Sequence, residues 1–166
     1  MEIINTRRSI RKYTDQPVSE ELLVKLLEAA MNAPTARNLQ EWKFVVVTNK
    51  ELQKKMAEAM PNTHMSAHAG ACIVVCGDTT IQPKAEYIYT DCGAAIENLL
   101  LKAHSLGLGC CWCAVGPNED RIIPTKEILN LPEHYLPVAN IAIGWPNEEK
   151  EENHRYDENK VTWMKS

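Results

Sequence analysis

The chain has 166 residues, of which 45% are hydrophobic and 24% are charged, and its formal net charge at pH 7 is -4. These values are typical of one globular domain with a substantial core, so we expect residues 1–166 to form a single domain. No apolar run approaches the roughly 18 residues that a membrane span needs, and the mildly acidic balance argues against general nucleic-acid binding. The first five residues lack the apolar segment of a secretory signal, so we expect a cytoplasmic protein.

Hydrophobic periodicity predicts helices and strands that roughly alternate along the chain. The predicted helices cover residues 19–32, 50–60, 86–106 and 125–129, and the predicted strands cover residues 44–47, 72–76, 109–115 and 136–144. The helix at 86–106 is apolar around nearly its whole circumference, which predicts burial either centrally or against another subunit. Residues 145–166 are charged but include a few aromatic and aliphatic residues, so we expect this tail to pack on a partner subunit. The fold class is therefore mixed α/β, with helices covering a sheet.

Four basic residues fall within the six positions from Arg7 to Lys12, and Ser9 lies among them with a hydroxyl donor. If this run is extended, Arg7, Ser9 and Arg11 share a face. If it is helical, Arg7 and Arg11 still share one at i and i+4. In either case two guanidinium groups could close on one phosphate, which predicts a site for a small anion. The alternative is a solvated basic terminus.

Six cysteines bear on redox chemistry. Three lie in strongly apolar surroundings, and the other three, Cys110, Cys111 and Cys113, surround Trp112. No spacing resembles a paired zinc site, so reduced and buried thiols are the main interpretation. An iron–sulfur or redox-thiol role for the second group is the alternative, although one tight cluster does not supply four well-placed ligands.

Several common functional motifs are absent from the sequence. Gly107-Leu108-Gly109 follows a predicted helix and has no third glycine, which argues against a Rossmann site, and neither a phosphate loop nor a nucleophile elbow is present. His64 and His68 have the i, i+4 spacing of a metal pair but lack further ligands, so surface or packing roles are favoured and no metal is expected.

The ordered set of motifs resembles the FMN-dependent nitroreductase family over nearly the whole chain. The resemblance rests on Arg7–Tyr13, on Ala33–Trp42 after the first predicted helix, on Leu106–Trp112 after the long helix, and on Pro117–Asp120, Ile141–Pro146 and Arg155–Asp157. Each motif alone is weak, but together they occur in the right order and spacing. The resemblance implies a central, mostly antiparallel sheet flanked by helices, with the long helix in a dimer interface.

The resemblance also implies a set of FMN contacts. The phosphate and ribityl chain would be held by Arg7, Arg8, Ser9 and Arg11, with Arg155 as a further phosphate contact. The loop residues Pro34, Thr35, Ala36 and Asn38 would contact the flavin from the partner subunit. The strand residues Cys111, Trp112, Cys113 and Ala114 would lie near the isoalloxazine, with main-chain N–H groups around Cys113 and Ala114 close to the flavin N5.

The sequence departs from the family pattern in two regions. Family members usually have proline after Gln40, whereas this chain has Glu41, which is expected to add negative charge at the cleft rim. The region around Asn62, Thr63 and His64 is short and does not match the longer members, which leaves the pyrimidine-edge contacts and the substrate pocket undefined.

The implied activity is a ping-pong hydride transfer. NADH or NADPH would reduce FMN at N5, and a nitroaromatic, quinone or enone would then take the hydride, with no side chain required as a catalytic acid or base. FMN would lie between the subunits of an obligate homodimer. The alternatives are a non-catalytic flavin- or nucleotide-binding module on the same fold and a cysteine-based redox protein.

Overall fold

A computed structural model describes residues 2–165, which form five α-helices and four β-strands. The helices are α1 (Glu2–Thr6), α2 (Glu20–Met31), α3 (Lys50–Ala59), α4 (Ala85–Ser105) and α5 (Glu119–Leu129). The strands are β1 (Trp42–Val47), β2 (Ala71–Asp78), β3 (Gly109–Ala114) and β4 (Tyr135–Gly144). Short 3₁₀ turns cover Ala36–Asn38, His64–His68 and Glu158–Lys160.

The four strands form one sheet in the order β1-β2-β4-β3, and every neighbouring pair is antiparallel. All eight residues of β2 are buried, because β2 lies between two other strands and helices cover both faces of the sheet. This arrangement confirms the predicted antiparallel sheet flanked by helices. It leaves β3 at one edge of the sheet.

Two core layers lie on opposite faces of the sheet. On one face α2 and α4 pack together, and Leu26, Ile96 and Leu99 are fully buried there. On the other face α3 and α5 bury a layer that includes Met56 and Ile122. The long helix is therefore buried centrally in its own chain, which is one of the two predicted outcomes.

Most predicted elements are confirmed within a few residues, but α5 begins six positions earlier than the predicted start at 125. Pro124 lies inside the helix, where proline is unfavourable. Helix propensity therefore does not predict the first turns of α5. Asn118 caps the helix by accepting a hydrogen bond from the Asp120 N–H at 3.0 Å. Burial of Ile122 and Thr125 further fixes the helix in place.

Helical backbone at the N-terminus ends at Thr6, before the basic cluster. Arg7 to Lys12 is non-helical. Isolated bridges pair Ser9 with Cys110 of β3, and Tyr13 with Pro146 shortly after β4. Of the two conformations considered for the cluster, the structure excludes the helical one. Across residues 2–165, none of the helices combines the length and apolarity that crossing a membrane requires.

Candidate functional site

The basic segment is anchored to the edge strand β3. The Ile10 N–H donates to the Cys110 carbonyl at 2.9 Å, and the Thr14 N–H donates to the Trp145 carbonyl at 2.9 Å. Tyr13 is buried, and its hydroxyl donates to the Ile10 carbonyl at 2.6 Å. Gly109 permits this close approach, because a Cβ there would lie 2.7 Å from the Ile10 Cβ. The backbone that follows Arg7 and Arg8 is therefore attached to β3 and to Trp145.

Residues 145–153, which we call the C-terminal strap, pack on this N-terminal segment of the same chain. The Asn147 N–H donates to the Lys12 carbonyl at 2.9 Å, and the Asn153 N–H donates to the Asn5 carbonyl at 3.0 Å. The Glu148 carboxylate accepts from the backbone N–H groups of Arg11 at 2.5 Å and Lys12 at 3.2 Å. These bonds, led by the one from Arg11, hold the pKa of Glu148 below its ordinary value.

A cavity of about 430 Å³ lies between the N-terminal segment, the C-terminal half of α4, the α4–β3 turn and the C-terminal strap. Three cations line it, namely Arg7, Arg8 and Lys150. Arg7 pairs with Glu97 of α4 at 3.3 Å, Arg8 donates to the Glu151 carbonyl, and Lys150 donates to the Ser9 carbonyl at 2.5 Å. Each cation is therefore held in place by another group of the protein. Together the three side chains form a set of donors suited to a phosphate.

The four predicted phosphate contacts divide between two cavities. Arg7 and Arg8 line the 430 Å³ cavity, and the Ser9 carbonyl holds Lys150 at its wall. Arg11 lines a second cavity of about 380 Å³ with His64, Met65 and His68 among its neighbours. The residue that shares a cavity with Arg7 is therefore Arg8, because the segment follows an irregular path between its two bridges instead of a regular strand. Arg155 is exposed and lies outside the residues that line the first cavity.

The edge strand β3 leads away from the cavity. Its residues Trp112 and Ala114 are exposed, whereas Cys111 and Cys113 are buried. The Cys110 carbonyl accepts from the N-terminal segment, and the Val115 N–H donates to the Val138 carbonyl on β4 at 3.0 Å. Because backbone groups alternate along a strand, the Ala114 N–H faces the free edge and the Cys113 N–H faces β4. Of the two predicted N–H donors, Ala114 is therefore the one on the open side.

The three clustered cysteines lie in two different core layers. Cys110 packs in the α2/α4 layer, whereas Cys111 and Cys113 pack in the α3/α5 layer, with the Cys113 sulfur 3.7 Å from the Met65 sulfur. The proximity of the two thiols lowers the pKa of Cys111 and raises that of Cys113. Among the described residues no group of three or more His, Cys, Asp or Glu could hold a metal ion. The positions of these thiols favour a packing role over a cluster.

The loop from Pro34 to Gln40 is strained and tightly held. Arg37, Asn38 and Gln40 have φ values of 57°, 55° and 52°, in the left-handed region that non-glycine residues rarely adopt. The Thr35 hydroxyl accepts from the Gln40 N–H at 3.1 Å, and the Ala36 N–H donates to the Asp91 carboxylate of α4 at 2.8 Å. Such strain is typical of loops whose shape serves a site.

The expectation that Glu41 adds charge at the cleft rim is wrong. Its side chain is 0% exposed, because the chain turns inward between exposed Gln40 and buried Trp42. Burial, together with the neighbouring Asp91 carboxylate, raises the pKa of Glu41. This residue belongs to the base of the loop and not to its surface.

Sequence reasoning missed Lys150 and His104, which both line the 430 Å³ cavity. Lys150 carried a usable signal, because it is the one cation in an otherwise acidic run from Glu148 to Glu152. His104 carried none, since its role depends on the docking of α1, where it lies 2.8 Å from the Thr6 hydroxyl.

Comparison with known proteins shows the family to which this chain belongs. A model of the Nitroreductase family matches residues 4–63 and 64–145. A protein from Archaeoglobus fulgidus is 43% identical over 155 residues, which is 91% of this chain and 87% of that protein. A solved structure from Parabacteroides distasonis has a TM-score of 0.95 and 39% identity, covering 99% of this chain and 97% of its own. Both carry the name "Putative NADH dehydrogenase/NAD(P)H nitroreductase".

A third relative is an FMN-dependent nitroreductase from Clostridium difficile, with a TM-score of 0.91 and 31% identity over 99% of this chain and 98% of its own. The chain belongs to the nitroreductase family, as its ordered motifs predicted.

Proposed function

We propose that this protein is an FMN-dependent oxidoreductase that moves a hydride from NADH or NADPH to a small electrophile such as a nitroaromatic, a quinone or an enone. The observation that carries the proposal is the 430 Å³ cavity with three positioned cations at the start of β3. The names of its relatives, which include an FMN-dependent nitroreductase and an FMN reductase that uses NAD(P)H, support the same chemistry.

The donor set of the cavity fits the terminal phosphate of FMN. Arg7 and Arg8 offer planar forks that match phosphate oxygens, and Lys150 adds a compact third charge. Glu97, by pairing with Arg7, fixes the direction of that guanidinium before any ligand arrives. Ser9 supports Lys150 through its carbonyl, and Arg11 and the exposed Arg155 are proposed as outer contacts.

The flavin ring is proposed to lie along the free edge of β3. Gly109 and Cys110 line the cavity, and the strand then presents exposed Trp112 and Ala114 in succession. The Ala114 N–H on this edge is the donor that we assign to the flavin N5, while Cys111 and Cys113 support the strand from beneath. When bound, FMN would accept a hydride at N5 from the nicotinamide and pass it to the electrophile in a ping-pong cycle.

A homodimer with FMN between its subunits is part of the proposal, and Pro34, Thr35, Ala36 and Asn38 would contact the flavin of the partner. Support comes from the end of the chain, where the apolar side chains of Tyr156, Trp163 and Met164 are 82%, 72% and 93% exposed. Burial of these groups against a second copy would favour association. We further propose a cytoplasmic location, where six buried thiols would stay reduced.

The test is reduction of the FMN-loaded protein by NADH and by NADPH without oxygen, followed by each electrophile. The proposal predicts that the flavin absorbance bleaches with at least one nicotinamide and returns when an electrophile is added. Stoichiometric FMN that neither nicotinamide bleaches would instead support a non-catalytic flavin-binding module. A broad brown spectrum with bound iron would favour the cysteine-based alternative.

A further inference from the structure

Glu41 is a fully buried carboxyl group. Its side chain is 0% exposed, and neither carboxylate oxygen has a hydrogen-bond donor. An ionised carboxylate in such a place would carry the full cost of leaving water. A protonated carboxyl would carry far less of that cost and would itself become a donor.

A nearby acceptor for such a donor is Asp91 on α4. The Asp91 carboxylate lies close enough to Glu41 to raise the pKa of that carboxyl group, and Asp91 is only 8% exposed. One Asp91 oxygen already accepts the Ala36 N–H at 2.8 Å. A single proton between the carboxyls would satisfy Glu41 and leave one negative charge, which the Ala36 N–H stabilises.

Other titratable groups around the pair do not neutralise it. Cys92 of α4 lies within electrostatic reach of Glu41, and burial, followed by Glu41 itself, raises the pKa of this thiol. Cys76 of β2 lies beside Cys92 and is likewise held neutral, because burial raises its pKa to about 12. The Asp78 carboxylate of β2 is engaged by Thr80 and Lys43 instead.

We propose that Glu41 is a positioning residue that shares one proton with Asp91, so that Asp91 is oriented to hold the Pro34–Gln40 loop. The link to catalysis rests on the proposed function, in which this loop contacts the flavin. The shared proton itself rests only on the buried pair and the Ala36 contact.

The first test compares urea unfolding of the wild-type full chain and Glu41→Gln from pH 5 to pH 9, at one protein concentration, with and without added FMN. Glutamine keeps the shape and a donor but does not titrate. Because the folded state retains a proton that the unfolded state loses above about pH 4.3, the wild type loses stability as pH rises. The unfolding constant of the wild type should therefore rise relative to that of the variant by up to tenfold per pH unit, until the pH exceeds the raised pKa of Glu41.

A ratio of unfolding constants that does not change with pH would overturn the proposal, because it would mean that Glu41 is already ionised. Failure of Glu41→Gln to fold at pH 7 would also overturn it, since that variant preserves the neutral donor.

The second test measures hydrogen exchange at the Ala36 amide in Glu41→Gln and Glu41→Leu, which are both neutral and of similar size. Only glutamine can donate to Asp91, so exchange should be about tenfold faster in the leucine variant. Equal exchange in the two variants would contradict the positioning role. Faster exchange without weaker FMN binding would leave the proton-sharing pair intact and refute only the flavin contact of this loop.

Discussion

Replacing Gly109 by alanine is expected to weaken the docking of the basic segment on β3. The new Cβ would lie 2.7, 2.8 and 2.9 Å from the Cβ, Cγ2 and Cγ1 atoms of Ile10, which is closer than real Cβ contacts allow. Neither residue can move away easily, because the Ile10 N–H is hydrogen-bonded to the Cys110 carbonyl and Gly109 pairs with Gly144 of β4. Overpacking of this kind typically costs about 1–3 kcal/mol.

The matched control is Gly93→Ala on α4, the same chemical change in open surroundings. The nearest heavy atom to a Cβ at position 93 is in the Trp112 ring, at 3.8 Å. Alanine in a helix is favoured over glycine by about 0.8–1 kcal/mol, so this variant should be as stable as the wild type or more stable. Of the two substitutions, only Gly109→Ala is therefore expected to lower the free energy of unfolding.

The assay is urea unfolding of both variants at one protein concentration, together with FMN titration. Gly109→Ala should lower the free energy of unfolding and weaken FMN binding, because Arg7 and Arg8 are carried by the displaced segment. Adding Ile10→Ala removes two of the three clashing atoms, so the double variant should be less destabilised than the sum of the single ones. A Gly109→Ala protein with wild-type stability and FMN affinity would refute the docking described for this segment.

Three further predictions concern packing, acid stability and the thiols. Leu26→Ala should lower the free energy of unfolding in urea by about 2–5 kcal/mol, because Leu26 is fully buried. Val24→Ala on the exposed face of α2 should change it little, and similar losses in both variants would contradict the assigned core face. The pKa of Glu148 is depressed in the folded state, so the ionised side chain should stabilise the protein above about pH 4.3, and this stabilisation should be lost as pH falls. In acid unfolding, Glu148→Gln should therefore lose less stability than the wild type. The six cysteines are free and buried, so a thiol reagent should modify native protein far more slowly than protein in urea.

The sequence predicted those parts of the fold that depend on local pattern. Apolar spacing placed α2, and Leu23, Leu26 and Ala30 do form its buried face. The start of α5 was missed because Pro124 opposes a helix that tertiary burial enforces. Where local preference and packing agree, sequence alone was sufficient, and where they conflict it was not.

The residues of the candidate site could likewise be predicted only in part from the sequence. Charge clustering indicated Arg7 and Arg8, because four basic residues occur within six consecutive positions. The contribution of Lys150 depends on the C-terminal strap, which returns to the N-terminus across more than a hundred residues. The burial of Glu41 was equally hidden, because a charged residue between Gln40 and Trp42 gives no local sign of facing inward.

The most direct test of the central claim is a comparison of FMN with riboflavin, which lacks the phosphate, by titration of the wild type, Arg8→Ala, Lys150→Ala and the exposed-surface control Lys55→Ala. A charged hydrogen bond contributes about 1.5–3 kcal/mol, so the wild type should prefer FMN by at least about tenfold. That preference should shrink in Arg8→Ala and Lys150→Ala and stay unchanged in Lys55→Ala. Equal affinity for the two flavins in the wild type, or a preference that survives both cavity substitutions, would contradict the assignment of Arg7, Arg8 and Lys150 as the phosphate site.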